Sequence, residues 1–119
     1  MTDELTGLYN RRGFFNVAEQ QIRLAFRMKK ELLLFFIDLD HFKKINDEYG
    51  HRAGDQALVD LTGILKATFR DSDILGRVGG DEFVVMAFEA QQEIIENIKS
   101  FSERALSLFR LIKKIVTFD

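Results

Sequence analysis

Apolar residues near the start of the chain recur at helical spacing. Phe15, Ala18, Ile22, Ala25 and Phe26, within Arg11 to Lys30, share one face and predict an amphipathic helix of about five turns. Met1 to Asn10, ahead of it, is polar and turn-like. Leu32 to Ile37 is an unbroken apolar run, too short for a buried helix and therefore read as a strand buried on both faces. Asp38 and Asp40 follow, where that strand opens into a loop. Phe42 to Tyr49 predicts a short helix ended by Gly50, and Asp55 to Arg70 a longer one with Leu58, Leu61, Leu65, Thr68 and Phe69 on one face.

A change of period follows. Ile74-Leu75-Gly76-Arg77-Val78 and Phe83-Val84-Val85-Met86-Ala87-Phe88 are β-type runs separated by Gly79-Gly80-Asp81-Glu82. They predict a hairpin from about Asp73 to Phe88, its glycines supplying the positive φ of a tight turn. Gln91 to Lys114 returns to 3-4 spacing through Ile94, Ile98, Phe101, Ala105, Leu108 and Ile112, which predicts a third long helix. Ile115 to Phe118 reads as the beginning of another strand. The sum is an α/β sandwich with mixed strand directions, helical crossovers joining some strands and a hairpin joining others.

Composition narrows the class. A chain of 119 residues with 46% hydrophobic and 30% charged residues suits one soluble domain with a real core. The net charge of −2 gives no reason to expect a nucleic acid polymer as partner. Without cysteine there is neither a disulfide nor a thiolate metal site, which suits a reducing, cytoplasmic setting. Leu32 to Ile37 is too short to cross a bilayer, and Asp3 and Glu4 stand where a signal peptide would carry basic residues.

The candidate chemistry lies in the acids. Asp38 and Asp40 sit at the end of a central strand, where α/β sheets place functional groups, and Asp81 and Glu82 sit at the tip of the hairpin. Each pair alone also fits a plain role, the first capping the next helix and the second keeping a turn solvated. If the hairpin pairs with the Leu32 strand, the carboxylates converge and repel one another unless a cation joins them. Hard oxygen ligands point to Mg²⁺ or Mn²⁺, whose coordination shell is commonly completed by substrate phosphates. No GxxxxGK[ST] is present, which excludes a P-loop.

Four ordered blocks then carry a family resemblance. Asp3-Glu4-Leu5-Thr6-Gly7-Leu8-Tyr9-Asn10-Arg11-Arg12-Gly13-Phe14, Asp38-Leu39-Asp40-His41-Phe42-Lys43-Lys44-Ile45-Asn46-Asp47, Gly50-His51-Arg52-Ala53-Gly54-Asp55 and Gly79 to Phe83 resemble the motifs of GGDEF domains, the diguanylate cyclases of bacterial signalling. The resemblance implies a palm-like fold related to nucleotidyl cyclases. It implies condensation of two GTP, one on each subunit of an antiparallel homodimer, into cyclic di-GMP. It also implies that Asp38, the Leu39 carbonyl and Asp81 hold the divalent metals with Glu82 beside them, and that Asp81 is the candidate base for the 3′-hydroxyl. Lys43 would stabilise phosphate charge, Asn46 and Asp55 would bind the guanine edge, and Gly79 and Gly80 would let the triphosphate approach. Arg70-x-x-Asp73 stands where the family has its product-inhibition site, its other reading being a charged helix end. His41 and His51 read as loop or cap residues, and Arg11 and Arg12 as orienting the opening segment.

By the same resemblance the family domain continues beyond Asp119 with a Ser-Ile-Gly-like strand and a helix whose lysine and arginine grip the terminal phosphates. Residues 1–119 therefore read as a single GGDEF domain lacking those final elements, taken from a parent protein with an upstream sensor, cytoplasmic or tethered to a membrane. Two functional classes stay open at this level. One is a diguanylate cyclase domain. The other is a non-catalytic module that binds GTP or cyclic di-GMP and dimerises.

Overall fold

The computed structural model describes residues 1–39, 41–88 and 109–116, the last of these as backbone. Helix α1 spans Arg11–Met28, and Asn10 caps it by accepting the Gly13 N–H. Strand β1 is Leu32–Leu39, so it takes in Asp38, which the sequence places just beyond the strand. Helix α2 is Phe42–Tyr49 and helix α3 is His51–Thr68. Strands β2 (Ile74–Arg77) and β3 (Glu82–Phe88) form the expected hairpin, and β4 is Phe109–Val116.

Helix α3 starts four residues before the predicted Asp55 because the chain needs only one residue to turn. Gly50, at φ 91°, ends α2 and begins α3 at once. A side chain there would meet no neighbour, so backbone conformation alone calls for glycine.

The third predicted helix, Gln91 to Lys114, requires correction at its end. Residues 109–114 belong to β4, and residues 91–108 lie outside the described residues. Apolar residues at 108, 111, 112, 115 and 116 keep helical spacing, so periodicity alone does not report this strand. The partner decides. β4 pairs antiparallel with β1 from Leu39↔Phe109 to Leu32↔Val116, supplying the backbone bonds that the second edge of β1 requires.

The sheet order is β2-β3-β1-β4. Every ladder between described strands is antiparallel. One expected crossover is nevertheless present among the described residues, because β2 runs parallel to β1 with β3 inserted between them. The helical pair α2–α3 makes that connection. One isolated parallel bridge, Tyr9↔Gly76, adds the N-terminal loop to the outer edge of β2.

Strand alternation divides the core in two. Leu33, Phe35, Ile37, Phe83 and Val85 pack with Leu58, Leu61 and Leu65 of α3. Leu32, Val84 and Met86 pack with Phe14, Ala18 and Ala25 of α1. The expected burial of β1 on both faces holds at Leu32 and Leu33 but fails farther along, where Phe36 is 39% exposed. The α1 side of the sheet thus opens as β1 approaches Asp38.

Glycine at 76 lets α1 approach the sheet, since a Cβ there would lie 2.7 Å from a ring carbon of Phe14. Gly76→Ala is expected to cost about 1–3 kcal/mol by overpacking. Gly63→Ala, inside α3 with open space around it, is expected to add up to about 1 kcal/mol. Urea denaturation of the two variants checks both signs.

Candidate active site

Asp38 and Glu82 lie directly opposite each other in the β1–β3 register. Residues opposite in an antiparallel pair point to the same face, so both acids fall on the α1 side. Asp81 ends the turn one residue earlier, and its carbonyl accepts the Leu39 N–H at 3.2 Å. One carboxylate oxygen from each of Asp38, Asp81 and Glu82 lies within 4.8 Å of the others. Three hard oxygen donors at this spacing fit a Mg²⁺ or Mn²⁺ ion. The helix-capping role for Asp38 does not survive, because it sits inside β1 and the cap position of α2 is His41. Asp40 lies outside the described residues.

The turn itself corrects one expectation. Among the described glycines only Gly7 and Gly50 have positive φ, so Gly79 and Gly80 are not there for left-handed backbone. Gly79 instead stands in close approach to the Glu82 side chain. A Cβ on it would lie 2.8 Å from Oε2 of Glu82, inside the acid cluster. The Glu82 carbonyl closes the turn by accepting the Val78 and Gly79 N–H groups at 2.9 and 3.4 Å.

Beside the acids lies a cleft of about 460 Å³, lined by Arg11, Phe15, Phe36, Asp38, Glu82 and Val84 among others. Arg11 therefore does more than orient the opening segment: it lines the cleft, its guanidinium 5.4 Å from the centre of the Phe15 ring. Lys43 is exposed on the first turn of α2.

Asn46 and Asp55 belong to α2 and α3 on either side of the Gly50 joint. Asn46 packs on Gly54, the neighbour of Asp55, so closely that a Cβ there would overlap its amide oxygen. That amide oxygen is buried with no hydrogen-bond partner, while Asp55 is exposed. A buried acceptor of this kind costs about 1–3 kcal/mol until a donor reaches it.

Arg70 and Asp73 are brought together, though in a closed form. The Asp73 side chain is fully buried, accepting the Arg70 N–H at 2.9 Å and its guanidinium at 3.4 Å. Arg70 also donates to the Phe88 carbonyl at 2.5 Å. In this arrangement the pair ties the end of α3 to the end of β3.

Sequence reasoning missed Arg77. It bonds to Asp3 across 74 positions, and no local spacing reports such a pair. Burial pushes the Asp3 carboxyl upward, but the Thr6 hydroxyl and N–H and the Arg77 guanidinium outweigh it, leaving the group below its ordinary value.

An antiparallel sheet flanked by helices, with carboxylates at one end beside a cleft, defines a palm-like α/β domain with an acidic group that could hold a hard cation. The chain belongs to the GGDEF family. The family model described as diguanylate cyclase, GGDEF domain, matches residues 1–116. The chain is 40% identical over 104 residues to diguanylate cyclase DgcP of Pseudomonas aeruginosa, covering 84% of this chain and 16% of that protein. It is 46% identical over 85 residues to the cyclic di-GMP phosphodiesterase NbdA of the same organism, covering 71% of this chain and 11% of that protein. The chain thus spans less than a fifth of the length of either relative. The solved GGDEF domain of YfiN (TpbB) from Pseudomonas aeruginosa superposes with a TM-score of 0.80 at 35% identity, over 97% of this chain and 74% of that structure. No helix among the described residues is long and apolar enough to cross a membrane.

The depressed Asp3 carboxyl has a consequence for acid stability. A group held lower in the folded chain than in the unfolded one stabilises the fold above its unfolded pKa, and that contribution is lost as pH falls through the folded value. Asp3→Asn is expected to be less stable near neutral pH and to show a shallower loss of stability below about pH 4 than the native chain. Denaturant unfolding at a series of pH values checks this.

Proposed function

We propose that this chain is a diguanylate cyclase domain, condensing two GTP into one cyclic di-GMP with release of two pyrophosphates. The observation that carries the reading is the convergence of Asp38, Asp81 and Glu82 at the end of β1 and β3, beside an open cleft. Those three side chains, with the Leu39 carbonyl, would hold Mg²⁺ or Mn²⁺. The bound ion supplies charge neutralisation for the triphosphate and acidifies the attacking hydroxyl.

The remaining roles belong to the chain. Each 3′-hydroxyl attacks the α-phosphorus of the other nucleotide, its proton passing to Asp81, and the bond from the α-phosphorus to the leaving pyrophosphate oxygen breaks. Lys43 stabilises negative charge on the phosphates, and Arg11 faces the same cleft. Asn46 and Asp55 select guanine, the amide offering a donor and an acceptor and the carboxylate accepting from N1–H and the amino group. The unpartnered Asn46 oxygen supports this assignment, since a nucleobase donor would satisfy it. Because each subunit carries one GTP, catalysis requires an antiparallel homodimer. The greater length of the relatives supports reading the chain as one module of a larger protein; that this protein is cytoplasmic or membrane-tethered, with a sensor elsewhere, is part of the same proposal.

A second reading is a binding module. The similarity to a protein named as a phosphodiesterase supports it, as does the Arg70–Asp73 pair if cyclic di-GMP displaces the Phe88 carbonyl from Arg70. Incubating the purified chain with GTP and Mg²⁺ or Mn²⁺, followed by chromatography, separates the two. Cyclic di-GMP is expected, and Asp81→Ala is expected to lower its formation by about 10²–10⁴-fold, the usual contribution of a positioned base. A folded native chain that makes no product but still binds cyclic di-GMP would replace the enzyme with the module. In that case Arg70→Ala abolishes binding and Asp81→Ala spares it.

A further inference from the structure

Arg77 divides its guanidinium between two parts of the chain that are far apart in sequence. Nε and Nη2 both donate to the Gly80 carbonyl, at 3.1 and 2.8 Å. Nη1 donates to both carboxylate oxygens of Asp3, at 3.2 Å each. The Arg77 and Asp3 side chains are only 18% and 21% exposed, so solvent screens the pair less than it would a surface ion pair.

The Gly80 carbonyl belongs to the peptide group that enters Asp81. The peptide group leaving Asp81 is held as well, since the Asp81 carbonyl accepts the Leu39 N–H. Fixing the peptide planes on both sides of a residue fixes its φ and ψ, and with them the direction in which Cβ leaves the backbone. Arg77 and Leu39 together therefore aim the Asp81 carboxylate. At Gly80 itself packing contributes little, because the residue is exposed and a Cβ there would have no neighbour within 4 Å.

Asp3 links this clamp to the N-terminal loop. Its Oδ2 accepts both the N–H and the hydroxyl of Thr6, at 2.9 and 2.7 Å. Its backbone donates to the Leu8 carbonyl and accepts from Gly7. The loop is docked on the sheet at Tyr9, which donates to the Leu75 carbonyl and accepts the Arg77 N–H.

We propose that Arg77 is a positioning residue of the acid cluster, and that Asp3, Arg77 and Gly80 form a latch through which the seating of the N-terminal loop governs the order of the turn bearing Asp81. Withdrawal of the loop removes the carboxylate that holds Nη1, and the guanidinium then re-solvates and releases Gly80. Such coupling is reciprocal: whatever orders the acid cluster also tightens the loop. The metal arm of the test below rests on the reading of Asp38, Asp81 and Glu82 as a cation site. The hydrogen-exchange arm does not.

The first measurement is amide hydrogen exchange in the metal-free chain. The reporters are the amides of Leu39, Val78 and Gly79, whose acceptors are the carbonyls of Asp81 and Glu82. In Arg77→Ala and Asp3→Asn these amides are expected to exchange about tenfold faster or more, as loss of a charge-assisted hydrogen bond implies, with central α3 amides unchanged. Native rates at the turn would overturn the proposal. So would equal acceleration in α3, the mark of general destabilisation. If Arg77→Ala does not fold, Arg77→Lys, which lacks the two-nitrogen grip on Gly80, and Asp3→Asn carry the same test.

The second measurement is Mn²⁺ affinity by electron paramagnetic resonance. Arg77→Ala is expected to weaken binding by about tenfold, the scale of an outer-shell loss. The Asp3→Asn/Arg77→Ala double variant should bind no more weakly than Arg77→Ala alone, whereas additive losses would overturn the latch. A native chain that binds no Mn²⁺ would sink the cation site, and the exchange rates would still decide the latch.

Discussion

β1 and β3 pair without a break from Leu32↔Phe88 to Asp38↔Glu82, and the placing of the acids follows from that register. Side chains alternate between faces, so slipping one strand by a single residue would send its acid to the opposite side of the sheet. Two cores oppose the slip. Leu33, Phe35 and Ile37 must meet α3 with Phe83 and Val85, while Leu32 must meet α1 with Val84 and Met86. A shift would place the hydrophobic set of each face where the other belongs. The apolar middle of the sheet thus determines the position of the polar end, and the acid cluster depends on packing several residues away.

The two helical layers contribute unequally. α3 covers the sheet where Ile37, Leu39 and Phe83 lie, and these stay buried up to the acids. α1 packs on Val84 and Met86 but leaves Phe36 part-exposed, and the cleft opens there. One sheet therefore has a closed face that supplies stability and a partly open face that carries the cleft. The acids lie on the open side, where their charge meets both solvent and a low-dielectric wall.

Much of this was legible in the sequence, for identifiable reasons. α1, β1, α2 and the hairpin follow from periodicity, which local residues set directly. The acid cluster was legible because Asp38, Asp81 and Glu82 lie at strand ends whose pairing could be inferred. Other features depended on partners remote in sequence. The 109–114 stretch is a strand because β1 offers it an edge, although its apolar spacing fits a helix. Gly79 matters through the Glu82 side chain and not through its own torsions. Arg77 reads as one charge in a β run, and only the folded chain places Asp3 and Gly80 on either side of its guanidinium.

The joint at Gly50 has a mechanical meaning. α2 and α3 meet through one residue whose backbone is not helical, and Asn46 and Asp55 stand on the two sides of it. Their separation is set by the single pair of torsions at Gly50, with Gly54 leaving room for the Asn46 amide to seat. The joint is braced on both sides, because Phe42 of α2 and Leu58, Leu61 and Leu65 of α3 pack into one core. Asn46 and Asp55 are thereby held in place by the same packing that stabilises the fold. A side chain at Gly54 would press on Asn46 and Phe42 together, and would so strain the joint before it reached the sheet.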